Sequence, residues 1–109
     1  MKLITDEQIA RFLATEVLGW TYYGGSTMSV PIWRGEDGTG MPVAMWRPCA
    51  DLNQAFMVLL KHGFFRVGLG LVEIKAKDGI LWVDSGDTPA AIARAICVAV
   101  CRVYGAEVE

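Results

Sequence analysis

The sequence is poor in the groups that carry out chemistry. It has one histidine, His62. Its three cysteines, Cys49, Cys97 and Cys101, do not have the spacing of a metal-binding cluster. A zinc site on the last two would need two further ligands, and only one more cysteine and the histidine are available. We therefore expect no catalytic residue, no metal site and no cofactor, and we predict that the protein is not an enzyme.

The sequence also lacks a large excess of positive or negative charge. Ten Lys and Arg residues oppose twelve Asp and Glu residues, which gives a formal net charge of −2 at pH 7. Binding nucleic acid through its phosphates requires a basic surface. We expect no direct contact with nucleic acid.

Long apolar runs and secretion signals are missing as well. The most apolar stretch, residues 89–104, contains Arg94 and Arg102, and it falls short of the ~18 uncharged residues that a membrane-spanning helix needs. The N-terminus becomes acidic at Asp6 without an apolar signal core. An odd cysteine count is unlike the paired cysteines of small secreted domains. The sequence predicts no membrane association and a cytoplasmic location.

What remains is an apolar chain of domain size. Its 109 residues are 53% hydrophobic and 20% charged. A chain of this length and composition can bury one core without disulfide staples. We predict a single domain over residues 1–109.

The first two helices are indicated by apolar residues at helical spacing. Thr5 and Gln8 form a capping box in front of a helix at about 6–18, which Gly19 ends. A second helix is predicted at about 50–62.

The third helix is predicted at about 90–104, with Thr88 as its N-cap and Pro89 at its first position. A helix that is apolar nearly all round is buried on more than one side. It lies either at the centre of the fold or in an oligomer interface. We favour a contribution to a homo-oligomer interface, for which the candidates are Ile92, Ile96, Val100 and Val103.

Two strands are predicted at 29–34 and 42–47, and Pro31 suggests that the first of them lies at a sheet edge. The segment 20–28 is expected to be an aromatic and glycine-rich loop. An alternative function for the run Gly24–Thr27 is to bind an anion through its backbone N–H groups.

Two further strands are predicted around Asp78–Gly79, the strongest hairpin signal in the chain. A loop of these two residues would pair Ile74 with Val83 on a core face and Glu73 with Asp84 on the other. Within the strand region 64–76, residues 65–72 are apolar on both faces apart from Arg66 and two glycines, so we expect helices to cover both faces. Gly68 and Gly70 share a face that a helix could approach closely.

Together these elements predict an α+β fold. We expect a three-layer α-β-α sandwich in the order α-β-β-α-β-β-α, with one mostly antiparallel four-stranded sheet.

The candidate binding surface is aromatic. Two predicted strands end in the same dipeptide, Trp33-Arg34 and Trp46-Arg47, and Trp82 is predicted on the more polar face of its hairpin. Tryptophan and arginine anchor interfaces and stack on nucleobases. The alternative is that the rings of Trp20, Trp33 and Trp46 close the edge of the core. The candidate partner- or ligand-binding residues are Trp33, Arg34, Trp46, Arg47, Arg66 and Trp82.

Three short motifs resemble the phage ABA-sandwich domain family. They are Leu18-Gly19-Trp20 after the first helix, Trp46–Leu52 at the start of the second, and Asp87–Ala95 at the start of the third. The resemblance implies an α-β-α sandwich from a bacteriophage or prophage. It supplies no catalytic residues.

Three functions are left open. The first is a phage accessory protein that binds a host protein in the host cytoplasm and inhibits antiviral defence, in which acidic residues imitate phosphates to a basic partner. Those residues are Asp6, Glu7, Glu16, Glu36, Asp37, Glu107 and Glu109. The second is an oligomer that sequesters a nucleotide-type signal, with Arg34, Arg47 or Arg66 on its phosphate. The third is a structural or morphogenetic phage component.

Overall fold

The computed structural model describes residues 2–24, 30–63, 65–68, 70–77 and 79–108. Its helices are α1 (Asp6–Phe12), α2 (Leu52–His62) and α3 (Pro89–Val103). Its strands are β1 (Lys2–Leu3), β2 (Thr21–Tyr23), β3 (Ile32–Arg34), β4 (Gly40–Pro42), β5 (Phe65–Gly68), β6 (Leu71–Ala76), β7 (Gly79–Asp84) and β8 (Glu107–Val108). A π-helical turn, Leu13–Val17, extends α1, and a 3-10 turn, Val43–Met45, follows β4.

The fold is a mixed α+β fold, but the single four-stranded sheet is wrong. The described strands form an antiparallel sheet β2-β3-β4, a second antiparallel sheet β5-β6-β7 and a parallel pair β1-β8. The region predicted as one strand at 64–76 folds back on itself, because Gly70 adopts a left-handed φ of 83° between β5 and β6. Phe64, the first residue of that prediction, lies outside the described residues.

The first helix begins as the capping box predicts. The Thr5 side chain accepts from the Gln8 backbone N–H, and the Gln8 side chain accepts from the Thr5 backbone N–H. The helical path continues through the π-turn to Leu18, and Gly19 turns the chain with a φ of 70°. The predicted span of about 6–18 is confirmed, with a wider last turn.

The strands around Trp33 differ from the prediction in three ways. Residues 21–23 form β2 rather than a loop, and β4 ends at Pro42 so that most of 42–47 is not a strand. The segment after β4 becomes a 3-10 turn because its backbone closes within itself, with the Trp46 N–H donating to the Val43 carbonyl. Strand β3 pairs on both sides, so the edge position inferred from Pro31 is wrong. Of Gly24–Thr27, only Gly24 lies within the described residues.

The β6-β7 hairpin has the predicted faces in a different register. Ala76 pairs with Gly79 and Ile74 with Leu81, so every partner is shifted by two residues. The shift occurs because Gly79 already belongs to the ladder, whereas the prediction placed it in the loop. Asp78 is outside the described residues. A shift of two preserves the faces. It separates Glu73 from Asp84, however, and the predicted pairing of these carboxylates is wrong.

Helix α3 is the centre of the core. The Thr88 side chain accepts from the Ala91 N–H, and Pro89 takes the first position, as predicted. The helix packs against β6 and β7 on one side and against α2 on another. Ile96 and Val100 have no exposed surface within the single chain, whereas Ile92 and Val103 are half-buried at its margin. The apolar circumference of α3 is thus covered by the chain itself, which corrects the assignment of Ile96 and Val100 to an oligomer interface.

The second sheet has one covered face and one open face. Helix α3 packs on the side that carries Val72 and Ile74, and Phe56 of α2 meets Phe65 on that side at 6.3 Å between ring centroids. Trp82 and Ile80 project from the other side and are exposed. The sandwich with helices on both faces is therefore wrong for this sheet. Gly68 and Gly70 receive no helix either, since a Cβ at these positions would meet nothing within 4 Å.

Candidate functional site

The open face of the second sheet carries Trp82, the most exposed of the four tryptophans. Side chains alternate between the faces of a strand, so Ile80 and Trp82 of β7 point outward while Leu81 and Val83 contact the core. Trp82 remains 66% exposed and Ile80 53% exposed. We refer to the outward side chains Arg66, Glu73, Lys75, Ile80 and Trp82 as the outer sheet face.

Charged side chains lie to one side of the indole on the outer sheet face, because β7 is the edge strand of its sheet. The register places Glu73 between Trp82 on β7 and Arg66 on β5. The Nη1 atom of Arg66 lies 3.7 Å from Oε2 of Glu73. Lys75 stands opposite Ile80. The surface therefore has an apolar strip along the edge strand β7, with groups of both charges on β6 and β5 beside it. It contains two of the predicted site residues, Arg66 and Trp82.

The two Trp-Arg dipeptides do not form one surface. Trp33 and Trp46 are each only 3% exposed, while Arg34 and Arg47 are exposed. The alternative in which these rings close the edge of the core is the correct one for both tryptophans.

The buried rings belong to an aromatic cluster beside α1. Trp46 donates its Nε1–H to the Ala10 carbonyl at 2.8 Å and packs edge-on against Trp20 at 4.9 Å between centroids. Trp33 packs edge-on against Tyr22 at 5.5 Å. Because each is packed against a neighbouring ring and is only 3% exposed, Trp33 and Trp46 contribute only a narrow strip of surface, which is too little for a nucleobase to stack on.

A cleft lies between α1 and the 3-10 turn. It encloses about 710 Å³. We call it the α1 cleft, and it is lined by Thr5, Glu7, Gln8, Ala10, Arg11, Trp33, Val43, Ala44, Trp46 and Arg47. The cleft brings together three predicted site residues, Trp33, Trp46 and Arg47.

Sequence reasoning missed the α1 side of this cleft. Arg11 and Glu7 occupy the polar side of an amphipathic helix, which is usually only solvated. Their spacing of four residues does place them on one side of α1. Nothing in the sequence, however, indicates that the 3-10 turn returns to that side.

Arg34 lies apart from the α1 cleft. Its guanidinium carbon stands 6.0 Å from the centre of the Tyr23 ring, and the residue borders a shallow groove beside Gly38 and Gly40. Arg34 and Tyr23 thus form a cation–π contact at the rim of the first sheet.

The acidic residues proposed as phosphate mimics lie on separate elements. Asp6 binds Arg94 at 3.2 Å between Oδ1 and Nε. Asp37 accepts from both the N–H and the hydroxyl of Thr39, and these hydrogen bonds lower the pKa of its carboxyl. Both carboxylates are engaged within the chain. Glu109 is outside the described residues.

The thiols and the imidazole occupy structural positions. Cys49, Cys97 and Cys101 are all buried. Burial raises the pKa of the Cys97 thiol well above its usual value, with a further contribution from Cys49, and burial raises the pKa of Cys101 to about 12. His62 Nε2 lies 2.7 Å from the Lys75 carbonyl oxygen. Within the described ranges, no three His, Cys, Asp or Glu residues are arranged to hold a metal ion.

Among the described residues, no helix combines the length and apolar character needed to cross a membrane.

Comparison with known proteins identifies a fold. A phage protein from Bacillus cereus ATCC 14579, solved by crystallography, matches with a TM-score of 0.69 and 13% sequence identity over 98% of this chain and 94% of that chain. No family model matches the sequence, and no curated protein matches it. The phage ABA-sandwich family is accordingly not shown. What is shown is that this chain shares its fold with a phage protein.

Proposed function

We propose that this chain is a small, non-enzymatic phage or prophage accessory protein that binds a host protein through the outer sheet face. The observation that carries the proposal is the 66% exposure of Trp82 on the edge strand β7 of an uncovered sheet face. Leaving an indole in water forgoes the stabilisation that its burial would give. A partner that covers Trp82 recovers that stabilisation on binding.

The chemistry of the outer sheet face fits a protein partner. Interfaces commonly have a tryptophan or tyrosine anchor at the centre and polar groups at the rim. Here Trp82 and Ile80 on the edge strand β7 form the apolar anchor, and the Arg66–Glu73 pair supplies polar groups on β5 and β6. With charges of both signs present, the face suits a protein surface that has an apolar pocket with mixed polar edges. It does not suit a polyanion.

The phage assignment rests on the shared fold. The Bacillus cereus protein of that fold is a phage protein, and this likeness supports a phage or prophage origin for the present chain by analogy. The expectation that the chain has no catalytic residue favours action by occupying a host factor. We propose a component of host antiviral defence as the partner.

The test measures binding with and without the indole. Tagged protein is used to capture a partner from a bacterial lysate, and the partner is identified by mass spectrometry, purified and titrated by calorimetry. We expect a fixed stoichiometry, and we expect Trp82→Ala to weaken binding about 30-fold or more, as for an interface hot spot. Leu60→Ala is the matched control, because Leu60 is a similarly exposed apolar residue on α2.

The controls separate binding from folding. Circular dichroism should give the same spectrum and the same melting temperature within about 2 °C for both variants, since neither side chain lies in the core. Equal binding by the wild type and Trp82→Ala would refute the outer sheet face as the interface. If the identified partner has no role in defence, the anti-defence part of the proposal fails while the binding part stands.

The other two functions have less support. An oligomer that sequesters a nucleotide was expected to stack tryptophan rings on the base, and Trp33 and Trp46 are buried against other rings. That function stays a prediction, as does a structural role in the phage particle. Both predict a defined oligomer or higher assembly, which the mass of the purified protein would reveal.

A further inference from the structure

We propose that the α1 cleft binds a small organic anion, a phosphate or carboxylate attached to a compact apolar group. The cleft volume of about 710 Å³ lies within the range of roughly 300–1,000 Å³ that is usual for small-molecule sites. The site is separate from the outer sheet face and goes beyond the proposed function. Three observations carry it.

The first observation is that two arginines line the cleft without carboxylate partners. Arg66 and Arg94 each face a carboxylate within ion-pair distance. In the part of the chain that the structure describes, neither Arg11 nor Arg47 has such a partner. Among the described arginines Arg34 and Arg102 also lack one, but Arg11 and Arg47 are the two that line the same cleft.

The second observation is that both arginines are held in place. The guanidinium carbon of Arg11 stands 5.7 Å from the centre of the Tyr22 ring, in a cation–π contact. The Nε–H of Arg47 donates to the Ala44 carbonyl at 3.2 Å, and its backbone N–H donates to Gln54 Oε1. Side chains that are already positioned lose less conformational entropy when an anion binds. The planar guanidinium group also matches the two oxygens of a carboxylate or phosphate.

The third observation concerns the apolar lining. Ala10, Val43 and Ala44 line the cleft together with Trp33 and Trp46. The indole N–H of Trp46 is already bonded to the Ala10 carbonyl, so these surfaces accept an apolar group rather than a polar one. Glu7 on the same side of α1 repels a dense polyanion. One anionic group on an apolar body therefore fits the cleft better than a nucleic-acid backbone does.

The test titrates simple probes and follows the tryptophan indole N–H signals by NMR. The probes are phenyl phosphate, benzoate and inorganic phosphate. We expect saturable shifts of the Trp33 and Trp46 signals with one or both aromatic anions, weaker binding of inorganic phosphate, and no shift of Trp82. Comparison of phenyl phosphate with benzoate decides which anion the arginines prefer.

Substitutions locate the binding. Arg11→Gln and Arg47→Gln should each weaken binding at least about tenfold, because each removes a charge-assisted hydrogen bond. Arg47→Lys, which keeps the charge and loses the planar fork, should be intermediate. Arg102→Gln is the matched control, since Arg102 is an exposed arginine on α3 outside the cleft. Shifts that never saturate, that include Trp82 equally, or that persist in the Arg11→Gln, Arg47→Gln double variant would overturn the proposal.

Discussion

At the residue scale, the three thiols lie inside the protein, where the charged thiolate form is disfavoured. Cys97 and Cys101 sit one helical turn apart on α3, and Cys49 contributes to the raised pKa of both. Thiols in such surroundings behave as small apolar side chains. The spacing of Cys97 and Cys101 on an apolar helix allows the sequence to predict that they are small buried side chains. It does not predict that Cys49 lies near them.

Thiol reactivity should depend on unfolding. We expect Ellman's reagent to label none of the three cysteines quickly in the native protein at pH 8, because burial protects the thiols and keeps them protonated. All three should react in denaturant. Rapid labelling of one thiol under native conditions would show that its part of the core opens.

The raised pKa of Cys101 also predicts a loss of stability in alkali. Below about pH 8, which is under the ordinary thiol pKa, the thiol is largely protonated in both states and contributes almost nothing to the pH dependence. Between that pH and the folded pKa of about 12, the unfolded chain loses the proton and the folded protein keeps it. The free energy of unfolding should therefore fall as the pH rises, by up to about 1.4 kcal/mol per pH unit. Urea unfolding of wild type and Cys101→Ala from pH 8 to 11 should show a shallower decline for the variant. Parallel curves would contradict the assignment.

At the element scale, local signals were sufficient for the helices. The Thr5–Gln8 capping box and the Thr88-Pro89 start act within one turn, so the sequence alone specifies where α1 and α3 begin. The strands depend on partners distant in the chain. Nothing in the local sequence decides whether Gly79 belongs to the β6-β7 ladder or to the turn before it. Residues 21–23 become a strand only because β3 lies beside them.

Gly40 shows how a tertiary contact restricts a strand residue. It has a φ of 149°, and a Cβ there would collide with the Trp33 carbonyl oxygen of the neighbouring strand. Gly40→Ala should therefore lower the free energy of unfolding by about 3 kcal/mol. Gly38 in the same hairpin has a φ of 84° and open space around its Cβ position, so Gly38→Ala should cost only about 1 kcal/mol. Thermal unfolding of both variants tests the difference. Equal losses would mean that backbone strain alone acts at both sites.

At the scale of the whole molecule, the candidate sites were predictable only in part. Strand alternation placed Trp82 on the polar face of its hairpin, and that placement follows from the sequence. The α1 cleft did not follow, because it forms between α1 and a 3-10 turn that are about 35 residues apart. Likewise, the apolar circumference of α3 did not reveal that β6, β7, α1 and α2 would surround it.

The central position of α3 predicts that its apolar residues stabilise the single chain rather than an assembly. Ile96 is fully buried and Ile92 is half-buried on the same helix. Ile96→Ala should lower the free energy of unfolding by about 3 kcal/mol through the cavity that it leaves, and Ile92→Ala by about 1 kcal/mol. Sedimentation equilibrium should give the same native mass for wild type and both variants, and the urea midpoints should not depend on protein concentration. A lower native mass for Ile96→Ala, or a midpoint that rises with concentration, would return α3 to an interface.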